Sequence, residues 1–102
     1  MLYAVIYRKK RTATEDELRA IRRRFIVWTP PPGLEIKTHY AFVDFGGVII
    51  VNALDNAALR MGLQPFLGPL EFEIEPLVSI AEALAISLDA DEAADPVPRE
   101  AS

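Results

Sequence analysis

Two segments of this 102-residue chain, residues 2–7 and residues 48–53, are apolar at nearly every position. Short apolar runs of this kind are typical of β-strands whose two faces are both covered. Two further strand-like segments, residues 35–44 and 70–76, carry charged side chains and are predicted to lie at the edges of a sheet. The fold must therefore cover both faces of two central strands.

Helical segments separate these strands in the chain. Thr14 and Glu17 form a capping box, which predicts that the first helix begins there. Apolar residues then recur at helical spacing on one stripe, namely Leu18, Ile21, Phe25 and Trp28. Three prolines starting at Pro30 end this helix, because proline lacks the backbone amide. Asp55 is predicted to cap a second helix that runs to about Gln64.

The element order β-α-β-β-α-β predicts an α+β, ferredoxin-like fold with an antiparallel sheet in the strand order 4-1-3-2. Ser79 and Glu82 form a second capping box, which predicts an extra C-terminal helix to about Leu88. We therefore predict one domain over residues 1–88. Residues 89–102 are rich in Asp, Glu, Ala and Pro and are predicted to form an acidic disordered tail.

The predicted sheet has more apolar surface than its own helices cover. Two helices pack on only one face of a four-stranded sheet, and the central strands are apolar on the other face as well. A chain of 102 residues buries a modest core, for which association is a common remedy. A second copy, packed sheet against sheet, is the most economical cover. The sequence therefore predicts a homodimer.

Composition excludes several classes of site and partner. The chain has no cysteine, which excludes disulfides and thiolate metal sites and predicts a cytoplasmic protein. No apolar run approaches the ~20 residues of a membrane span, so no membrane contact is predicted. Basic runs at residues 8–11 and 22–24 lack interleaved aromatic residues in a chain of net charge −4, so nucleic acid is not predicted as a partner. No phosphate loop or zinc spacing is present, and neither a cofactor nor a metal is predicted.

His39 is the only histidine and the leading candidate for acid–base chemistry. If Gly46 and Gly47 form a two-residue turn, His39 shares a sheet face with Asn52 among aliphatic side chains. Such a pair suits a general base with a partner that orients it or stabilises an oxyanion. A three-residue loop reverses the parity and separates the two residues. The alternative for His39 is a hydrogen-bonded or solvated residue near a sheet edge.

Aromatic residues are the candidates for ligand contact. Tyr3 and Tyr7 share one strand face, and Tyr3, Tyr7 and Tyr40 each offer a phenol to a bound carbonyl or ring, although strand tyrosines also serve packing. Trp28 lies at the end of the first helix and is a candidate for stacking on a planar ligand. Its alternative role is to anchor the helix to the sheet.

Three motifs resemble a family of short bacterial domains of unknown function. The motifs are Phe25-x-x-Trp28-x-Pro30-Pro31-Pro32-Gly33, Gly46-Gly47 followed by Val48-Ile49-Ile50-Val51-Asn52-Ala53, and Leu70-Glu71-Phe72-Glu73-Ile74-Glu75-Pro76-Leu77-Val78. The resemblance covers about residues 1–85 and implies membership of the dimeric α+β barrel superfamily. That superfamily includes cofactor-independent monooxygenases, muconolactone-type isomerases, polyketide cyclases and haem-degrading enzymes, several of which hold a ligand between sheet and helices. The resemblance therefore implies a fold, a dimer and a ligand cavity.

These observations lead to two hypotheses of function. The first is a homodimeric protein that binds a small hydrophobic or aromatic metabolite and acts as a cofactor-independent isomerase, cyclase or oxygenase. In it, His39 moves a proton, Asn52 and a tyrosine hold a developing enolate, and Trp28 packs on the ligand. The second is a non-catalytic binding or dimerisation module with a filled core. The size of any cavity discriminates between them, since ligand sites usually occupy roughly 300–1,000 Å³.

Overall fold

The computed structural model describes residues 1–94 and shows the predicted order of elements. The elements are β1 (Leu2–Lys9), α1 (Glu15–Val27), β2 (Leu34–Ala41), β3 (Gly47–Ala53), α2 (Asn56–Leu63), β4 (Leu70–Leu77) and α3 (Ile80–Ala94). A short 3₁₀ turn over Gln64–Phe66 follows α2. The predicted α+β class, ferredoxin-like pattern and additional C-terminal helix are confirmed.

The four strands form one sheet in the order β2-β3-β1-β4, which is the predicted 4-1-3-2 order read from the other edge. Every neighbouring pair is antiparallel. The two apolar strands, β1 and β3, are therefore central, and the charged strands β2 and β4 are the edges. The strand order therefore follows the distribution of charged residues, since the strands that carry them lie at the solvent-exposed edges.

The helices cover one face of the sheet, which we call the inner face. Val5, Ile49 and Val51 point to this face and form the core, with 1%, 9% and 4% of their surface exposed. Leu18 and Ile21 of α1 pack beside them in a second buried cluster. Both helix starts are capped as predicted: Thr14 and Glu17 form the complete capping box, and Asp55 accepts from the Ala58 amide at 2.8 Å.

The opposite, outer face carries the alternate residues of the same strands. On β3, the inner residues are buried while Val48 and Ile50 are partly exposed. The apolar members of the outer face are Leu2, Ala4, Ile6, Tyr40, Val48, Ile50 and Leu77, as the strand register places them. Glu71, Glu73 and Glu75 lie on the same face along the β4 edge. Within residues 1–94, none of these outer-face side chains is buried.

The helix α3 continues beyond its predicted end at Leu88 as far as Ala94, so the first residues of the predicted disordered tail are helical. The rest of that tail, residues 95–102, lies outside the described residues. No side chain of α3 is buried, and Ile80, Leu84 and Leu88 are more than half exposed. In the described part of the chain, no helix has both the length and the apolar character needed to cross a membrane.

The prediction of a two-residue Gly46-Gly47 turn is wrong. Ala41 pairs with Gly47, and the Phe42 amide donates to the Gly46 carbonyl at 2.9 Å, so the connection is a three-residue loop, residues 43–45. Gly46 has φ +118° and lies against the β1 backbone, so it stands between the three-residue loop and the start of β3. In this register His39 is paired with Ile49, so His39 and Asn52 lie on opposite faces of the sheet.

Candidate functional site

A cavity of about 430 Å³ lies between the inner face of the sheet and the helices. Its volume falls within the range of small-molecule sites, roughly 300–1,000 Å³. The lining is almost entirely apolar. Its aromatic members are Tyr7, Phe25, Trp28, Phe42, Phe45, Phe66 and Phe72. The cavity suits a ligand with a ring-sized apolar body.

Three aromatic side chains from different elements form one wall of this cavity. Phe25 and Trp28, three residues apart at the end of α1, share a helix face and stack with ring centroids 5.8 Å apart. Phe66, from the 3₁₀ turn, meets Trp28 edge-on at 5.3 Å. Such edge and offset contacts hold rings in fixed orientations. Trp28 therefore anchors the end of α1 and also lines the cavity, whereas its stacking on a ligand stays a prediction.

Tyr7 and His39 form a hydrogen-bonded pair beside the cavity. The Tyr7 Oη lies 2.6 Å from His39 Nε2. Tyr7 lines the cavity, whereas His39 lies behind it with Phe25 edge-on against the imidazole at a centroid distance of 5.2 Å. Both residues are partly buried. A Tyr–His pair next to an apolar space is a polar group that a ligand would meet on entering.

Gly47 makes this pair possible. Tyr7 on β1 is opposite Gly47 on β3, which is opposite Ala41 on β2, so the tyrosine must reach across β3 to contact β2. A Cβ atom at Gly47 would lie 2.7 Å from Tyr7 Oη and 3.0 Å from Tyr7 Cζ. The missing side chain therefore leaves the space through which the phenol reaches His39.

Burial sets the charge state of the pair. Desolvation lowers the pKa of His39 and raises the pKa of Tyr7, because burial disfavours the imidazolium and the phenolate alike. Both groups are therefore neutral at physiological pH. One proton lies between the two atoms, and either the phenol donates to Nε2 or Nε2–H donates to the phenol oxygen.

This pKa shift predicts a loss of stability in mild acid. Because the folded-state pKa of His39 is lowered, the unfolded chain takes up the proton first, and the free energy of unfolding falls as pH drops below about 6.5. His39→Gln removes the only histidine, so its stability should change less over this range. Urea unfolding of both proteins between about pH 7.5 and pH 5 measures the difference. Parallel pH profiles would contradict the expectation.

Other candidates from the sequence lie away from the cavity. Asn52 is on the outer face, opposite to His39, and its Oδ1 accepts from the Met1 amino group at 2.8 Å, so the expected His39–Asn52 pair does not form. Tyr40 is also on the outer face and is 68% exposed. Tyr3 shares the inner face with Tyr7, but its hydroxyl contacts Asn56 at 3.2 Å and does not line the cavity.

Several residues of the site were not singled out from the sequence. Phe66, Phe42 and Phe45 lie outside the helices and strands of the main fold. The spacing of apolar residues there does not predict which way a side chain points. Phe72 was assigned to a strand without any role beyond packing. Within the described residues, no group of three or more His, Asp or Glu side chains is arranged to hold a metal ion.

Comparison with known proteins gives a family but no function. A family model described as a domain of unknown function, DUF3303, matches residues 1–91. No curated protein matches the chain significantly, and no solved structure does. The predicted resemblance to a short family of unknown function is confirmed, whereas the superfamily remains a prediction.

Proposed function

We propose that this chain, which belongs to the DUF3303 family of domains of unknown function, binds a small apolar or aromatic ligand in its inner cavity. The observation that carries the proposal is the Tyr7–His39 pair beside a mostly apolar cavity of about 430 Å³. Ligand sites typically combine an apolar lining with few polar groups that fix orientation. The cavity favours this proposal over a non-catalytic module with a filled core.

The pair can either donate a hydrogen bond to the ligand or accept one from it. Toward a ligand carbonyl, Tyr7 donates its proton while its oxygen accepts from Nε2–H of His39. Toward a ligand hydroxyl, Tyr7 accepts while its own proton points to Nε2. A partly buried Tyr–His pair that adapts in this way orients an oxygen-containing ligand without a cofactor.

The same pair can move a proton, as in a cofactor-independent isomerase, cyclase or oxygenase. The Tyr7 oxygen takes a proton from the ligand while the Tyr7 proton passes to His39 Nε2, which leaves an imidazolium and a deprotonated ligand. The lowered pKa of His39 keeps the imidazole neutral and therefore able to accept. Asn52 has no part in this scheme, because it lies on the outer face.

A matched pair of bicyclic ligands tests the proposal. Tetralone and tetralin share a ring system, but only tetralone has a carbonyl oxygen. We expect calorimetry to show tetralone binding about fivefold more tightly, because one buried hydrogen bond contributes on the order of 1 kcal/mol. Tyr7→Phe keeps the ring and should remove the advantage.

The control is Tyr3→Phe, which removes a hydroxyl from the same strand and sheet face but from outside the cavity lining. It should bind both ligands as the natural chain does. Equal binding of the two ligands by the natural chain, or no binding of either, would count against the proposal.

We also propose that the protein acts as a homodimer whose two sheets pack through their outer faces. The support is the apolar strip across that face, with Ile6 and Ile50 on adjacent central strands and neither side chain buried within residues 1–94. Glu71 and Glu73 border the strip along β4, as polar residues border the apolar centre of an interface. The strip is shared by both copies in a two-fold arrangement.

A further inference from the structure

One end of the cavity is built by the loop between β2 and β3, and this loop carries two arginines on its aromatic rings. Phe42 and Phe45 both line the cavity. The Arg22 guanidinium of α1 lies over the Phe45 ring, 5.9 Å from its centroid, and the Arg8 guanidinium of β1 lies over the Phe42 ring at 5.2 Å. Cation–π contacts of this kind hold guanidinium groups in place beside the rings.

Charge is confined to this loop end of the cavity. Arg22 and Asp44 are the charged members of the lining, and the remaining lining residues are uncharged. Arg8, behind Phe42, belongs to the outer face of β1, where Glu71 of β4 lies opposite it, so the cavity itself meets one guanidinium and one carboxylate. In the part of the chain that the structure describes, no carboxylate oxygen lies within 4.0 Å of either guanidinium. Both arginines thus keep their hydrogen-bonding capacity for another group.

We propose that the ligand of the inner cavity carries one anionic group, such as a carboxylate, that binds Arg22 at the loop end. This inference rests on the proposed function and names the class of ligand: an aromatic or apolar body with a single acidic end. A guanidinium binds a carboxylate through two parallel hydrogen bonds, which fixes the orientation of the ligand.

The arrangement assigns the two ends of the ligand to different partners. The apolar body lies among Phe25, Trp28 and Phe66, where a charged group would lose its hydration without a partner. The acidic end stays near Arg22, which is exposed and keeps contact with water. Tyr7 then meets an oxygen on the body of the ligand.

Two fluorescent probes separate this inference from the proposed function. Anilinonaphthalene sulfonate and phenylnaphthylamine have the same ring system and differ by the sulfonate group. We expect the full chain to bind the sulfonate probe about tenfold more tightly, because a charge-assisted contact adds on the order of 1.5 kcal/mol. Arg22→Gln should remove this difference while leaving the affinity for the neutral probe unchanged.

The matched control is Arg23→Gln, which removes the same charge from the next position of α1, outside the cavity lining. It should keep the preference for the sulfonate probe. Unchanged binding of the neutral probe by Arg22→Gln shows that the cavity is intact. Equal affinities of the natural chain for the two probes, or equal effects of the two substitutions, would overturn the inference. Absence of binding for both probes would overturn the proposed function itself.

Discussion

Replacing Gly46 with alanine is expected to lower the free energy of unfolding by about 3–5 kcal/mol. Gly46 has φ +118°, a backbone conformation that residues with a Cβ atom rarely adopt. A Cβ atom at this position would also overlap the backbone carbonyl oxygen of Tyr7, which is fixed in the central strand β1. Backbone atoms of a paired strand cannot move aside as a flexible side chain can, so the two effects add.

Gly68 provides a control that separates conformation from steric overlap. Its φ is +120°, nearly the same as that of Gly46, but a Cβ atom there would meet no other atom within 4 Å. Gly68→Ala should therefore cost only the conformational part, about 1–3 kcal/mol, and less than Gly46→Ala. Urea unfolding followed by circular dichroism measures both variants. Similar losses for the two would show that overlap with Tyr7 contributes little.

The glycine pair also shows where sequence reasoning succeeds and where it fails. Apolar runs and capping boxes are local signals, and they predicted the strand order and the starts of α1 and α2 correctly. Gly46-Gly47 was interpreted as a turn because glycine pairs favour tight hairpins. Gly46 is required by the approach of the Tyr7 backbone from β1, and Gly47 by the Tyr40 carbonyl together with the Tyr7 ring. The contacts with Tyr7 span 39 or more positions of sequence, which no local pattern encodes.

The residues of the candidate site were partly predictable from the sequence, but their contacts with one another were not. His39 stood out because it is the only histidine, and Tyr7 and Trp28 stood out as aromatic residues on apolar faces. Their meeting depends on the register between β2 and β3, which the loop length sets and the sequence left open. The loop is one residue longer than a two-residue turn, which reverses the face that each β3 residue shares with β2. Asn52 therefore lies on the opposite face from His39, and Tyr7 lies beside His39 instead.

Replacing Ile50 with glutamate is expected to dissociate the proposed dimer, weakening association by about 100-fold or more, because burial of an unpaired carboxylate costs several kcal/mol. Ile50 lies in the middle of the outer face, between Ala4 of β1 and Thr38 of β2. Its side chain points away from the core cluster, so the single subunit should remain folded. Circular dichroism of the variant checks that it does.

Ala57→Glu is the matched control for charge. Ala57 is an exposed residue of α2 on the opposite side of the sheet, and it lines neither the cavity nor the outer face. The substitution adds the same negative charge to the chain as Ile50→Glu does. We expect it to leave both the association and the stability of the protein close to those of the natural chain.

Sedimentation velocity of the natural chain at micromolar concentration tests most directly the claim that each subunit covers one sheet face with its own helices and the other with a second copy. We expect a single species with twice the mass of one chain, conversion to single chains by Ile50→Glu, and no change with Ala57→Glu. A natural chain that sediments as a stable single subunit, with Ile6 and Ile50 left facing water, would contradict the account.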